Sequence, residues 1–316
     1  MVESLNRRAW QRIEKLAAIA DDLRISVEEL PSGGRVFDFG INVPGSLAAG
    51  IELARVCTAG LAEITLVPGE LQGPGWPYIQ VTTDHPVAAC LYSQYAGWQV
   101  SVDRFFAMGS GPMRAVAARE ELFQRLGYRE TADCAVGVLE GRKRPTQAVF
   151  DFLAERTGVA ASRTALLVAP TASLAGNLQV VARVVETALH KLFELGFDLT
   201  RLVSATGTAP LAPVAADDLS GIGRTNDAIL YGGCVTLWVR GDDDSLAEIG
   251  KKVPAAASPS YGRPFLEIFE AAGRDFYQID PHLFSPAQLV FQNLETGRVH
   301  RFGNVAPDVL LRSFGL

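Results

Sequence analysis

Hydrophobic and polar positions along the chain follow two different periods, and the switches between them mark out its elements. Apolar residues recur three and four apart over Leu5 to Leu23, Leu47 to Cys57, Thr146 to Thr157 and Pro264 to Ala272, which predicts helices. Ser4 or Asn6 can cap the first, and Gly158 ends the third. A shorter helix is expected over Ser245 to Ile249. Alternation or short apolar runs predict strands at Ala62 to Val67, Ile79 to Pro86, Trp98 to Val102, Cys134 to Leu139, Thr164 to Val168, Arg201 to Ala205, Val235 to Val239, Gln288 to Asn293 and Arg298 to Phe302. The turn Pro31-Ser32-Gly33-Gly34 joins Ile25 to Leu30 and Arg35 to Phe39 as a hairpin, and Thr296-Gly297 joins the last two strands. Pro68 to Tyr78 holds three prolines and three glycines and reads as a loop. Helices and strands mix without a steady βαβ rhythm, so the expected fold class is α+β rather than a doubly wound sheet.

The least ordinary pattern is the helix expected from Asn177 onward. Leu178, Val181, Val185, Ala188, Leu189 and Leu192 form one apolar stripe, and Val180, Val184 and Thr187 a second edge. Between them Gln179, Arg183, Glu186 and His190 line one narrow polar strip. Two readings stand. Arg183 and Glu186 can be an ion pair on a half-exposed helix, or the strip can look into a cleft.

Other polar residues gather where strands are expected to end. Thr83 and Asp84 close the strand before Pro86, where Asp84 is either a helix cap or a site contact. Gly109-Ser110-Gly111 stands ahead of Pro112, a favoured first helical residue, and such a turn can aim N–H groups at an anion or bind nothing. Thr208 falls in an expected stiff loop from Gly207 to Pro213. Arg224 and Asn226 fall in an expected loop from Gly223 to Asp227; for Thr208 and Asn226 turn geometry is an equal alternative to a site contact.

Composition narrows the classes. The 316 residues, 48% hydrophobic and 20% charged with mean hydropathy +0.15, describe a compact globular protein. A net charge of -6 argues against nucleic acid as a partner. The first 25 residues are too charged for a signal peptide, and no run reaches 18 apolar residues, so a cytoplasmic protein with no membrane partner is expected. Cys57, Cys90, Cys134 and Cys234 lie far apart and are expected as buried thiols. His85, His190, His282 and His300 show no metal-ligand spacing, and no metal site is expected. The charged turn Arg142-Lys143-Arg144 suggests domains at 1–143 and 144–316, with exchange of segments between them left open.

Six blocks in order carry a resemblance: IQVTTDHP from Ile79, AGWQV from Ala96, FFAMGSGPMRA from Phe105, LVAPTASLAGNLQVVARVVETAL from Leu167, GTAPLAPV from Gly207 and GRTNDAILYGG from Gly223. Together they are similar to methenyltetrahydromethanopterin cyclohydrolase. The resemblance implies an enzyme of archaeal methanogenesis and bacterial formaldehyde oxidation, with no metal or cofactor of its own and a tetrahydromethanopterin derivative as substrate carrier. It adds water reversibly to the cyclic methenyl cation and gives the N5-formyl form. The resemblance also implies two mixed α/β domains with a pocket between them, a homotrimer, Glu186 as the catalytic carboxylate and Arg183 as its neighbour.

The implied chemistry suits those residues. The reacting carbon shares a positive charge with two nitrogens, so it attracts water and needs chiefly a proton shuttle. Burial raises a carboxyl pKa and a guanidinium lowers it, an opposition that can poise Glu186. Thr83, Asp84, Gly109, Ser110, Gly111, Thr208, Arg224 and Asn226 are then expected to grip the pterin or the anionic end of its side chain. Two other functions fit the same residues: a different pterin or amidine-ring hydrolase, and a non-catalytic pterin-binding protein.

Overall fold

A computed structural model describes residues 4–73 and 75–316. In chain order the elements are α1 (Leu5–Ala18), α2 (Ala20–Leu23), β1 (Ser26–Glu29), β2 (Arg35–Asp38), α3 (Leu47–Cys57), β3 (Glu63–Glu70), β4 (Gly75–Thr83), a π-helix (Val87–Gln94), β5 (Trp98–Val102), β6 (Phe105–Ser110), α4 (Met113–Ala117), α5 (Glu121–Leu126) and β7 (Ala135–Glu140). There follow α6 (Gln147–Thr157), β8 (Thr164–Ala169), α7 (Leu174–Val181), α8 (Val184–Glu194), β9 (Leu202–Pro210), α9 (Asp218–Gly232), β10 (Cys234–Val239), α10 (Asp243–Gly250), α11 (Phe265–Ala271), β11 (Gln288–Asn293), β12 (Val299–Gly303) and α12 (Pro307–Phe314).

These elements form two compact units that interleave along the chain. The first takes residues up to Leu61 and then Ala88–Gln179; the second takes Ala62–Val87 and Val180–Leu316. The Arg142-Lys143-Arg144 turn lies within the second segment of the first unit. Each unit holds one six-stranded mixed sheet, in agreement with the α+β reading.

In the first unit the strand order is β1-β2-β8-β7-β6-β5, with β2, β8 and β7 parallel and the outer pairings antiparallel. Both faces are covered. Ile13 and Leu16 of α1 and Leu53 and Val56 of α3 pack with Phe37, Val136 and Leu167 on one side. Val149, Phe150 and Leu153 of α6 and Met113 of α4 pack with Val36, Leu139 and Leu166 on the other. Coverage of both faces is why β8, Thr-Ala-Leu-Leu-Val-Ala, is buried at every position and reads as a continuous apolar run. The expected helix from Leu5 to Leu23 is two helices, since Ile19 ends α1 and Arg24, at φ 57°, ends α2.

In the second unit the order is β12-β11-β10-β9-β4-β3, and only β10 and β11 run parallel. Burial alternates strictly along β10 and β11, so one face packs on helices and the other is half-exposed. The loop expected over 68–78 is instead largely strand. Pro68 pairs with Pro77 across β3 and β4. Proline is tolerated on β3 because it is an edge strand, and Pro77 precedes Tyr78, where β4 begins to pair with β9. Beyond the last expected strand the chain adds α12, with Pro307 at its first turn.

Asp227 fastens α9 to α11: it is fully buried, and its Oδ1 accepts the Phe265 N–H at 2.8 Å, at the first residue of α11. Burial pushes its carboxyl from 3.8 up to about 7. A raised acid pKa means the folded state holds this proton where the unfolded chain has lost it. The stabilisation from protonation is therefore complete below the unfolded value and is lost as pH rises through about 7. Asp227→Asn, which keeps an acceptor without the charge, should gain stability relative to the parent as pH rises through that window. Urea melts across the window test this; parallel stability curves for the two proteins would show that Asp227 does not titrate there.

Candidate active site

The polar strip lies at a break between two helices, not on one continuous helix. Around the break stand the β-branched pairs Val180-Val181 and Val184-Val185, which crowd a helix at χ1. Arg183, at φ -81° and ψ 4°, gives its N–H to Val180 O at 3.1 Å, a tightened turn that closes α7, and then serves as the N-cap position of α8. Glu186 thus falls in the first turn of a new helix, where the partial positive charge of the helix N-terminus favours an acidic side chain. Arg183 is 7% exposed and Glu186 4%, so this part of the strip is buried rather than half-exposed. Gln179, 2% exposed, places Nε2 at 3.5 Å from Cys57 Sγ within the first unit. His190 is half-buried, 3.8 Å from Glu194.

The first turn of α8 rests on strands with almost no side chain beneath it. A Cβ placed on Gly207 in β9 would stand 2.8 Å from Val185 Cγ2 and 3.1 Å from Val184 Cγ1. One on Gly233 would stand 3.0 Å from Val184 Cγ2 and 2.6 Å from Ile229 O. Ala205 and Ala209, also fully buried, flank Gly207 on the same face of β9. At the other end of α8, buried Lys191 donates from Nζ to His282 O at 2.5 Å; burial pushes its pKa down to about 8 against the opposing pull of Asp280.

Thr83, the last residue of β4, is buried, pairs in register with Ala205 and so shares the sheet face on which α8 lies. Its Oγ1 accepts the His85 N–H at 3.0 Å. Asp84 is exposed and accepts from Ser204 Oγ at 2.7 Å. Thr208 is not in a loop, because β9 runs on to Pro210; it pairs with Gln80 and Cys234 on the half-exposed face, away from Gly207. Arg224 and Asn226 are not in a loop either. They lie on α9, where Arg224 Nη1 reaches Pro213 O at 3.5 Å and Asn226 Nδ2 reaches Ile222 O at 2.9 Å.

The expected glycine turn in the first unit is also different. Gly109 and Ser110 are the last residues of β6, and the Gly111 N–H is committed to Ser93 O at 2.8 Å. Ser110, 1% exposed, donates to Val138 O at 3.2 Å and lies 3.3 Å from Cys57 Sγ. The structure therefore places Thr83, Arg183 and Glu186 in the second unit, builds Gly109 and Ser110 into the sheet of the first, and ties Gly111 to the end of its π-helix. Cys57, Cys90 and Cys134 are buried as expected, while Cys234 is only half-buried. Gly207 and Gly233 had no sequence signal beyond small size.

A family model for cyclohydrolase (MCH) matches residues 4–314. The chain belongs to that family. It is 45% identical over 313 residues, 99% of this chain and 95% of the relative, to the methenyltetrahydromethanopterin cyclohydrolase of Methylobacillus flagellatus. It is 49% identical over 300 residues, 92% of this chain and 90% of the relative, to that of Rhodopirellula baltica. Against that of Methanocaldococcus jannaschii the identity is 42% over 317 residues, covering 99% and 98%. Among the described residues no helix is long and apolar enough to cross a membrane.

The Ser110 hydroxyl ties β6 to β7, so Ser110→Ala in this cyclohydrolase-family chain should lower unfolding stability by about 1 kcal/mol. Chemical denaturation measures it, and an unchanged midpoint would remove the tie from the account.

Proposed function

We propose that this chain catalyses the reversible hydrolysis of the 5,10-methenyl-tetrahydromethanopterin cation to N5-formyl-tetrahydromethanopterin, with Glu186 as general acid and base and Arg183 tuning it. The observation that carries the reading is the buried carboxylate of Glu186 in the first turn of α8, three residues after a buried arginine, in a chain of the cyclohydrolase family. A buried acidic group is costly unless opposite charge or dipoles compensate, and sites that perform proton transfer are where such arrangements concentrate.

In the proposed reaction, water oxygen adds to the carbon between N5 and N10 while Glu186 takes a proton. The adduct then breaks at the C–N10 bond as the carboxyl returns a proton to N10. The adduct's hydroxyl proton leaves as the formyl carbonyl forms, so one proton passes to solvent for each cation consumed. A single carboxylate serving both steps contributes about 10² to 10⁴-fold. While ionised, it also stabilises the cation electrostatically.

Family membership supports this hydrolysis over a non-catalytic pterin carrier. In the same reading the enzyme acts in the cytoplasm as a homotrimer and needs no cofactor of its own. Arg224, half-buried on α9 with Asn226 nearby, is proposed to meet the anionic end of the substrate. Thr83, which shares the sheet face under α8, is proposed as a further wall of the site around Glu186.

Glu186→Gln should cut kcat by about 10² to 10⁴-fold while the pterin still binds. Loss of methenyl absorbance gives the rate and equilibrium titration gives the affinity. A variant that turns over at near-parental rate removes Glu186 from the mechanism.

A further inference from the structure

We propose that Gly207 is a positioning residue for Glu186: by carrying no side chain it lets the first turn of α8 settle directly on β9, which fixes where the carboxylate stands. The inference rests on the reading of Glu186 given above.

Three observations carry it. First, Gly207 is not required for its backbone shape. It pairs in register with Val81 on one side and Val235 on the other, and it is absent from the residues with positive φ. An alanine can take that backbone, so what glycine supplies is space. Second, the space is taken up by the residues immediately before Glu186. The missing Cβ would come within 2.8 Å of Val185 Cγ2 and 3.1 Å of Val184 Cγ1, with Val235 Cγ2 at 3.2 Å. All three valines are essentially unexposed, so none can swing into solvent to relieve the contact. Third, the surroundings are built for the same close approach. Ala205 and Ala209 continue a row of small buried residues along β9, and Gly233, at an ordinary φ of -70°, meets Val184 from a second direction.

Adding one methyl therefore pushes on Val184 and Val185. The valines cannot repack outward without moving their helix, and Glu186 is the next residue on it. A shift of a few tenths of an ångström is small for folding and large for proton transfer, where geometry is most demanding.

Gly207→Ala is expected to lower kcat by about tenfold, with KM changed by less than about twofold. Val185→Ala in the same chain removes both Cγ methyls, including the one that the new Cβ meets, at the cost of one carbon of packing. The double variant should recover most of the lost kcat. In a Glu186→Gln background, Gly207→Ala should add little further loss, because the two act through one carboxylate. Parental kcat in folded Gly207→Ala overturns the proposal. So does a loss that Val185→Ala fails to relieve, or one that is undiminished in the Glu186→Gln background. If Glu186→Gln alone turns over at the parental rate, the catalytic assignment of Glu186 has failed instead, and the two failures are told apart by that arm.

Discussion

A helix that begins almost on top of a strand is the constraint on which the rest of the second unit depends. The inward row Ala205, Gly207 and Ala209 keeps β9 thin on that side, and α8 fills the space with Val184 and Val185. Because the preceding helix stops at Val181, α8 starts afresh there, and its own N-terminal dipole falls on the turn that holds Glu186. A continuous helix would have put the same residue mid-helix, where no such dipole acts. The far end of α8 is held by Lys191 and the His282 carbonyl, so the helix is anchored at both ends.

Buried polarity in the first unit serves another purpose. Its π-helix bonds the Tyr95 N–H back to Cys90 O, and the carbonyls at its end need outside donors. Arg114 supplies them: its side chain is fully buried, it gives Nη1 to Leu91 O and Ser93 O, and it forms a two-point pair with Glu120 at 2.7 and 2.8 Å. A buried guanidinium is tolerable when its donors are so fully used. Gly111 donates to the same Ser93 carbonyl.

Much of this is legible in the amino-acid sequence, and the departures share a physical cause. Strand β5 and helix α3 have the residues that alternation and helical periodicity predict, because each buries one clear face or stripe. Glu186 and Arg183 stood out because polar residues between two apolar edges make poor surface. Glycine and proline misled. Gly109, Gly207 and Gly223 read as turns, yet they lie in strand, strand and helix, and Pro68 and Pro77 lie in paired strands. A glycine that opens space for a neighbouring element and one that bends the chain look alike in sequence, since the neighbour is far away along it. The break after Val181 was hidden for a similar reason: the apolar pattern continues through it.

The interleaving of the two units also governs the order in which the molecule can be assembled. The β3–β4 hairpin is made early, with Ile64, Ile79 and Val81 on its inward side, but the strand it must join, β9, emerges from the ribosome only after the whole second segment of the first unit. Throughout that interval an apolar ribbon with an open edge waits without its partner, the condition in which nascent chains are most prone to stick to one another. The sequence separation between β4 and β9 thus sets how much chain must be synthesised before that open edge can be closed.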